Sequence, residues 1–74
     1  MRNRITGYVV QLDLDKRTVR LRDCPSSDGM GRMVFEGHAD PAYVRGLALA
    51  FRNDACVSGE VFEGRLRDIR VVAL

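Results

Sequence analysis

The chain has 74 residues, enough for one domain and too few for two. Hydrophobic residues make up 46% of it and charged residues 30%, which is the composition of a globular protein and excludes a disordered one. The net charge of +2 is too small to imply a nucleic-acid partner by itself.

The sequence gives no sign of a membrane partner or of export. The longest uninterrupted apolar run, Leu47 to Phe51, is far too short to cross a membrane. The segment Met1 to Gly7 carries charge but no apolar signal core follows it, so we expect a cytoplasmic protein. The basic residues are almost all arginine. This bias is typical of a GC-rich bacterial genome, although arginine also binds phosphate bidentately.

Metal and disulfide chemistry are not expected. The two cysteines, Cys24 and Cys56, stand far apart, and His38 is the only histidine. Metal sites need ligands grouped at short spacing, so we expect no metal and no other cofactor. In a reducing cytosol both thiols are expected to stay free.

In chain order, the first predicted element is a strand from Ile5 to Leu14. Its apolar residues fall on both faces, and Gly7 inside it is typical of a bend that lets one strand serve two sheets. After a polar turn, a second strand from Thr18 to Arg22 alternates cleanly. Val19 and Leu21 are expected to face inward and the remaining residues to face solvent.

Composition then predicts a loop from Asp23 to Gly31. A third strand, Arg32 to Gly37, follows it. Met33 and Phe35 share one face of this strand and Val34 takes the other, and the pattern leaves open which face is inward.

The clearest element is a helix from Asp40 to Asn53. Asp40 suits the N-cap position and Pro41 the first helical position. Gly46 in the middle suggests close packing against a strand. An apolar stripe at helical spacing is expected to face the core, and it consists of Val44, Leu47, Ala48 and Phe51.

Two further strands follow the helix. The fourth runs from Ala55 to Phe62, and Glu63-Gly64 predicts a short hairpin connection after it. The fifth runs from Arg65 to Leu74 and ends in the apolar residues Val71 to Leu74. A small monomer would leave that end uncovered, so we predict at least a homodimer, although the same residues could equally close a barrel. One face of the fourth strand carries Ala55, Val57, Gly59 and Val61.

Three strands, a helix and two strands is the element order of the oligonucleotide/oligosaccharide-binding (OB) fold, a small Greek-key barrel. Ile5 to Val10 resembles its long bent first strand, Asp40 to Phe51 its helix between strands three and four, and Cys56 to Val61 its V-x-G-x-V fourth strand. The resemblance implies one mostly β domain over residues 1–74, a five-stranded barrel. An SH3-like barrel is the alternative, and it usually lacks a helix at this point.

The sequence does not predict an enzyme. Acid–base catalysis needs paired carboxylates or an oriented histidine in a concave site. Asp13 and Asp15 share a strand face but sit at a turn, where aspartate is expected structurally. His38 is expected in the loop before the helix, and Ser26 and Ser27 lack the context of a catalytic nucleophile. We therefore expect a non-catalytic binding module.

Arginine forms the one constellation with a physical argument for binding. In an OB arrangement strand three lies between strands two and five, so outward arginines would form a basic stripe able to follow a phosphate backbone. We therefore hypothesise that the chain binds single-stranded nucleic acid weakly and without regard to its sequence. The alternatives are a solvated face balanced by carboxylates, or an interaction or assembly module, such as an accessory subunit, that binds an acidic protein. The predicted binding residues are Arg20, Arg22, Arg32, Arg65, Arg67 and Tyr8.

Overall fold

Residues 3–24 and 31–72 are described by a computed structural model. The strands are β1 (Asn3–Asp13), β2 (Thr18–Arg22), β3 (Met33–Ala39), β4 (Cys56–Phe62) and β5 (Arg65–Val72), and the helix is α1 (Val44–Asn53). A turn of 3-10 helix, Pro41–Tyr43, leads into α1. All six predicted elements are confirmed, although β3 extends to Ala39 and so contains His38. Most of the predicted loop, residues 25–30, lies outside the described residues.

The five strands close into one barrel in the order β1-β2-β3-β5-β4, and β4 pairs back onto β1. Neighbouring strands are antiparallel except β3 and β5, which run parallel through the pairs His38↔Arg65 and Ala39↔Leu66. The long β1 serves both of its neighbours, with β4 along its first half and β2 along its second. This mostly β barrel with its helix between strands three and four confirms the predicted fold class.

The core fills the barrel and is completed by α1. The inward direction predicted for Val19 and Leu21 is confirmed, since both are buried. Phe35 packs against the core from a half-buried position, whereas Met33 at the start of β3 is 55% exposed. The buried hydrophobic residues are Val9, Val19, Leu21, Ala39, Leu47, Ala50, Ala55, Val57 and Leu66.

The buried face of the helix is rotated from the predicted one, although it contains Leu47 as predicted. Leu47 and Ala50 are buried, whereas Phe51 is 41% exposed, so its assignment to the core is wrong. Leu47 and Ala50 lie about 60° apart around the helix, and Phe51 lies roughly 70° from the midpoint between them. The close packing predicted at Gly46 is also wrong, because an added Cβ there would meet no atom within 4 Å.

The helix start agrees with its predicted cap. The Asp40 carboxylate accepts a hydrogen bond from the backbone N–H of Ala42 at 3.0 Å, and Pro41 occupies the first position after it. The first turn is 3-10 rather than α-helical. The backbone N–H of Asp40 also donates to the Leu66 carbonyl at 2.8 Å, which fastens the helix entry to β5.

Both cysteines are free thiols, as predicted. In the part of the chain that the structure describes, no helix is long and apolar enough to span a membrane. At the end of β5, Val71 and Val72 pair with Val57 and Cys56 of β4 in the closed barrel, and their side chains are 43% and 39% exposed. The homodimer expected from this apolar end stays a prediction, and residues 73 and 74 lie outside the described part.

Candidate functional site

A row of three polar side chains crosses β1, β2 and β3 on the outside of the barrel. Gln11 pairs with Arg20, and Arg20 pairs with Glu36. Directly opposed residues of neighbouring strands project to the same side of a sheet, so these side chains lie together. Nε of Arg20 donates to Oε2 of Glu36 at 2.6 Å, and Nη2 of Arg20 contacts the same oxygen. We call these three residues the Arg20 row.

An open depression of about 250 Å³ lies over the Arg20 row. Its wall combines an amide, a guanidinium, a carboxylate and a hydroxyl group, which together offer hydrogen-bond donors and acceptors at one place. Both members of the ion pair are accessible from it, since the side chains of Arg20 and Glu36 are 39% and 50% exposed. The lining residues are Gln11, Thr18, Val19, Arg20, Glu36 and Gly37.

A second polar row lies two residues away along β2 and β3 and continues onto β5. Thr18 of β2 pairs with His38 of β3, and His38 pairs with Arg65 of β5. We call these three residues the Arg65 row. Arg17 directly precedes Thr18, and its carbonyl accepts the backbone N–H of Ala39 at 2.8 Å, which ties the β1–β2 turn to the end of β3.

Arg17 and Arg65 place two guanidinium groups beside His38 at the Arg65 row. Within residues 3–24 and 31–72, no carboxylate forms an ion pair with Arg17, His38 or Arg65. The location predicted for His38 is wrong, because this residue is exposed within β3 rather than in a loop before the helix. The strand continues past it because of the bond between Arg17 and Ala39 and the pairing with β5.

The fold does not bring the predicted arginine stripe together as one unit. Arg67 lies on the β4–β5 side of the barrel, where Nη2 and Nε bind Oε1 of Glu60 at 2.9 and 3.1 Å. Its guanidinium also stacks 4.0 Å from the centre of the Phe62 ring. Arg67 is therefore engaged by its own neighbours, apart from the two polar rows.

The remaining predicted residues lie beside the Arg20 row or before β3. Tyr8 pairs with Arg22, and both are half-buried. Nη1 of Arg22 donates to the Gly31 carbonyl at 3.3 Å. Arg32 is exposed and precedes β3, and its backbone N–H binds the Asp23 carboxylate at 2.8 Å.

Sequence reasoning missed Gln11, Arg17 and Glu36 as members of the site. Each is a polar residue at a strand end or on an outward strand position, which is ordinary for a solvated surface. Glu36 and Arg20 are 16 residues apart in the chain, so only the β2–β3 register reveals that they pair. The available signal was the outward strand position of Gln11 and Glu36 and the place of Arg17 in a polar turn.

A second open pocket, of about 340 Å³, lies on the other side of the barrel. Several of its polar groups are already bonded: Arg67 binds Glu60, and Oδ2 of Asp68 accepts from Nη1 of Arg4, outside the pocket, at 3.0 Å. No group of residues that could hold a metal ion occurs in the described ranges. The lining residues are Asp40, Tyr43, Glu60, Arg67 and Asp68.

The surroundings of the Cys56 thiol shift its proton affinity. Burial raises the pKa of the Cys56 thiol, and a backbone hydrogen bond with Gly7 opposes this effect. Since the thiolate is the nucleophilic form of cysteine, a raised pKa makes Cys56 a poor nucleophile.

Comparison with protein-family models, with curated protein sequences and with solved structures finds no significant match to this chain. Its function is therefore inferred from the geometry of the two polar rows.

Proposed function

We propose that the chain is a non-catalytic binding module whose outer β2–β3–β5 face binds single-stranded nucleic acid. The observation that supports this is the group of Arg17, His38 and Arg65, which lies where three strands meet and has no ion-pair partner among the described carboxylates. In five-stranded Greek-key barrels of the OB type, the face of strands two and three is a common site for oligonucleotides.

The two flanking connections fit the same use. Arg17 ends the β1–β2 turn and Arg65 begins β5 directly after the β4–β5 turn, so one cation stands at each side of the face. The β4–β5 turn lies against β3, because a Cβ added to Gly37 would be 3.4 Å from the Gly64 carbonyl. A nucleic-acid strand that runs from the β1–β2 turn to the β4–β5 turn would therefore pass the guanidinium groups of Arg17 and Arg65 and the Thr18 hydroxyl.

Binding through this face is expected to be weak and dominated by phosphate contacts. Base stacking on aromatic side chains contributes about 1–3 kcal/mol per base where it occurs. On this side of the barrel, however, Phe35 is packed against the core. Phosphate contacts fix the position of a strand without reading its sequence, and they make affinity fall with salt.

The test is the salt dependence of binding to labelled oligothymidylate of about twelve nucleotides, measured by fluorescence anisotropy. With two phosphates neutralised by Arg17 and Arg65, log affinity should fall with log salt at a slope of roughly −1.4, from about 0.7 per contact. The double variant Arg17→Ala/Arg65→Ala removes both contacts and should bring the slope close to zero. The matched control Arg45→Ala/Arg52→Ala removes the same charge from exposed positions of α1 and should keep the original slope.

Two results would refute this function. One is the absence of binding at about 0.03 M salt, where phosphate contacts are strongest. The other is an equal effect of the two double variants, because that would mean that net charge rather than the Arg65 row attracts the strand.

Binding of an acidic protein is the second candidate function. Arg32 is exposed directly before Met33, and an arginine beside an exposed apolar side chain is the composition of a protein interface centre. Polyglutamate of the same charge as the oligothymidylate separates the two functions in competition. A protein-binding face would bind polyglutamate more tightly than the oligonucleotide, and Arg32→Ala would abolish the binding of polyglutamate. A nucleic-acid-binding face would bind the oligonucleotide more tightly.

A further inference from the structure

The Arg20–Glu36 ion pair leaves one acceptor and one donor side by side in the depression. Both Arg20 contacts go to Oε2 of Glu36, so Oε1 of Glu36 and Nη1 of Arg20 hold no hydrogen bond to another described residue. A carboxylate only accepts hydrogen bonds and a guanidinium only donates them. The pair therefore presents a fixed acceptor next to a fixed donor, and the Gln11 amide on the neighbouring strand adds one group of each kind.

The ion pair also orients these groups before a ligand arrives. The guanidinium is planar, and its contact with Glu36 restricts the rotation of both side chains. A site whose groups are already oriented loses less conformational entropy on binding. Half-exposure of both side chains keeps them within reach from solvent.

The charge of the Arg20 row separates it from the Arg65 row. Glu36 neutralises Arg20 and would repel a phosphate group, so the Arg20 row is a poor place for the nucleic-acid backbone. In the Arg65 row the carboxylate opposite Thr18 is that of Asp13, which accepts the backbone N–H groups of Asp15 and Lys16. Arg17 and Arg65 together keep the net charge there positive. If the backbone follows the Arg65 row, the bases of the same strand come within reach of the depression over Arg20 and Glu36.

Resting on the proposed function, we infer that this depression binds an unpaired base by its Watson–Crick edge, with a preference for guanine. That edge of guanine carries the acceptor O6 beside two donors, N1–H and the N2 amino group. O6 would face Nη1 of Arg20 or the Gln11 amide, and the two donors would face Oε1 of Glu36. In a single strand these edges are free to be read in this way.

The other bases match the pair less well. Adenine and cytosine each place one amino donor beside an acceptor, so a second donor for the Glu36 carboxylate is missing. Thymine places a single donor between two acceptors, and one of those acceptors would lie against the carboxylate. A polar group left without its partner in this way lowers affinity for the wrong base.

The experiment compares four labelled strands of about twelve nucleotides at one low salt concentration. They are oligothymidylate and three oligothymidylates in which every fourth base is replaced by adenine, by cytosine or by 7-deazaguanine, which prevents guanine quadruplexes. The guanine-type strand should bind about five- to tenfold more tightly, the lower range for a bidentate base contact, because the site is open to solvent. A strand with inosine, which lacks the N2 amino group, should have an affinity between those of the guanine-type strand and oligothymidylate.

Two matched variants assign the preference to Glu36. Glu36→Ala should bring all four affinities within about twofold of one another and should raise binding of oligothymidylate, because a carboxylate that repels phosphate is gone. Glu63→Ala removes the same charge from the exposed β4–β5 turn. It should strengthen binding of every strand alike and keep the guanine preference.

The outcomes separate this inference from the proposed function. If no strand binds, both the inference and the proposed function are refuted. If all strands bind alike, or if the preference survives Glu36→Ala, the inference is overturned and the proposed function stands. If Glu36→Ala does not fold, the inference is tested by the affinities of the unchanged protein, which should decrease from the guanine-type strand to the inosine strand to oligothymidylate. Any other order would overturn it.

Discussion

Gly7 of β1 lies so close to Arg22 of β2 that no side chain fits between them. A Cβ built on Gly7 would lie 2.9 Å from the carbonyl oxygen of Arg22 and 2.9 Å from Cγ2 of Val34. Backbone atoms of a paired strand cannot move aside as the end of a side chain can. The missing side chain therefore lets β1 pass across β2 and β3 at this point of the barrel.

We predict that Gly7→Ala lowers the free energy of unfolding by about 1–3 kcal/mol, the usual cost of overpacking. The matched control is Gly46→Ala in α1, where the added methyl group meets no atom within 4 Å. That substitution should raise stability by about 0.5–1 kcal/mol, the difference between the two residues inside a helix. Urea unfolding of the three proteins measures both effects, and equal stability of Gly7→Ala and the unchanged protein would contradict the first.

The β4–β5 turn has the conformation of a type I′ hairpin. Glu63 and Gly64 have φ angles of 52° and 76°, and this turn favours Asn-Gly at its two central positions. We predict that Glu63→Asn stabilises the fold by about 0.5–1 kcal/mol, because asparagine tolerates positive φ better than glutamate does.

The same turn offers an opposite test and a control. A Cβ on Gly64 would meet nothing within 4 Å, so Gly64→Ala should cost about 1–2 kcal/mol through backbone strain alone. Glu63→Gln keeps the shape of the side chain and should change stability by less than about 0.5 kcal/mol. Thermal unfolding of the three variants gives the order, and a stabilising Gly64→Ala would exclude this turn type.

The element order could be predicted from the sequence because each element carries a local signal. Strand alternation around Val19, the Asp40 cap and the Glu63-Gly64 turn all act over a few residues, and all three are confirmed. The buried face of α1 was harder to predict from the sequence, because a helical stripe that includes Phe51 and one that includes Ala50 differ by a single residue step. Only the contact with the barrel decides between them.

The candidate site depends on pairings that no local pattern encodes. Arg20 meets Glu36 across a hairpin whose register the sequence does not fix, and Arg65 meets His38 through the short parallel contact between β3 and β5. Alternation predicts that an arginine faces outward, but not which carboxylate stands opposite. Arg67 illustrates this, because it lies on an outward position and is held by Glu60.

Two ion pairs should differ in strength because their carboxylates differ in exposure. The Glu60 side chain, bound by Arg67, is 12% exposed, whereas the Glu36 side chain, bound by Arg20, is 50% exposed. We predict a coupling energy of about 0.2–1 kcal/mol for Arg20 and Glu36, as for exposed pairs. For Arg67 and Glu60 we predict about 1–2 kcal/mol, because water screens this pair less.

Double-mutant cycles with alanine at each position measure both coupling energies. High salt should weaken the Arg20–Glu36 coupling more than the other, since screening acts mainly on exposed charges. A larger coupling for the exposed pair would mean that side-chain exposure does not control the strength of these contacts.

The pKa of Cys56 gives a prediction for stability at high pH. Burial raises this pKa in the folded state, so the folded protein holds the thiol proton more tightly than the unfolded chain does. The resulting stability is fully present below the pKa of the unfolded thiol and is lost as pH rises through the folded pKa. The stability of the Cys24→Ser protein should therefore fall as pH rises above about 8.5, the ordinary pKa of a free thiol. The free energy of unfolding of the double variant Cys24→Ser/Cys56→Ala should decrease less over the same pH range.

Alkylation provides a direct reading of the same thiol. In Cys24→Ser the only cysteine is Cys56, and iodoacetamide reacts with its thiolate. The alkylation rate of the folded protein should reach half of its maximum at a higher pH than the rate of the same protein in urea, because burial disfavours the charged form. Mass spectrometry at a series of pH values follows both reactions. Half-maximal alkylation of the folded protein at an equal or lower pH would show that the Gly7 hydrogen bond outweighs burial at this strand position.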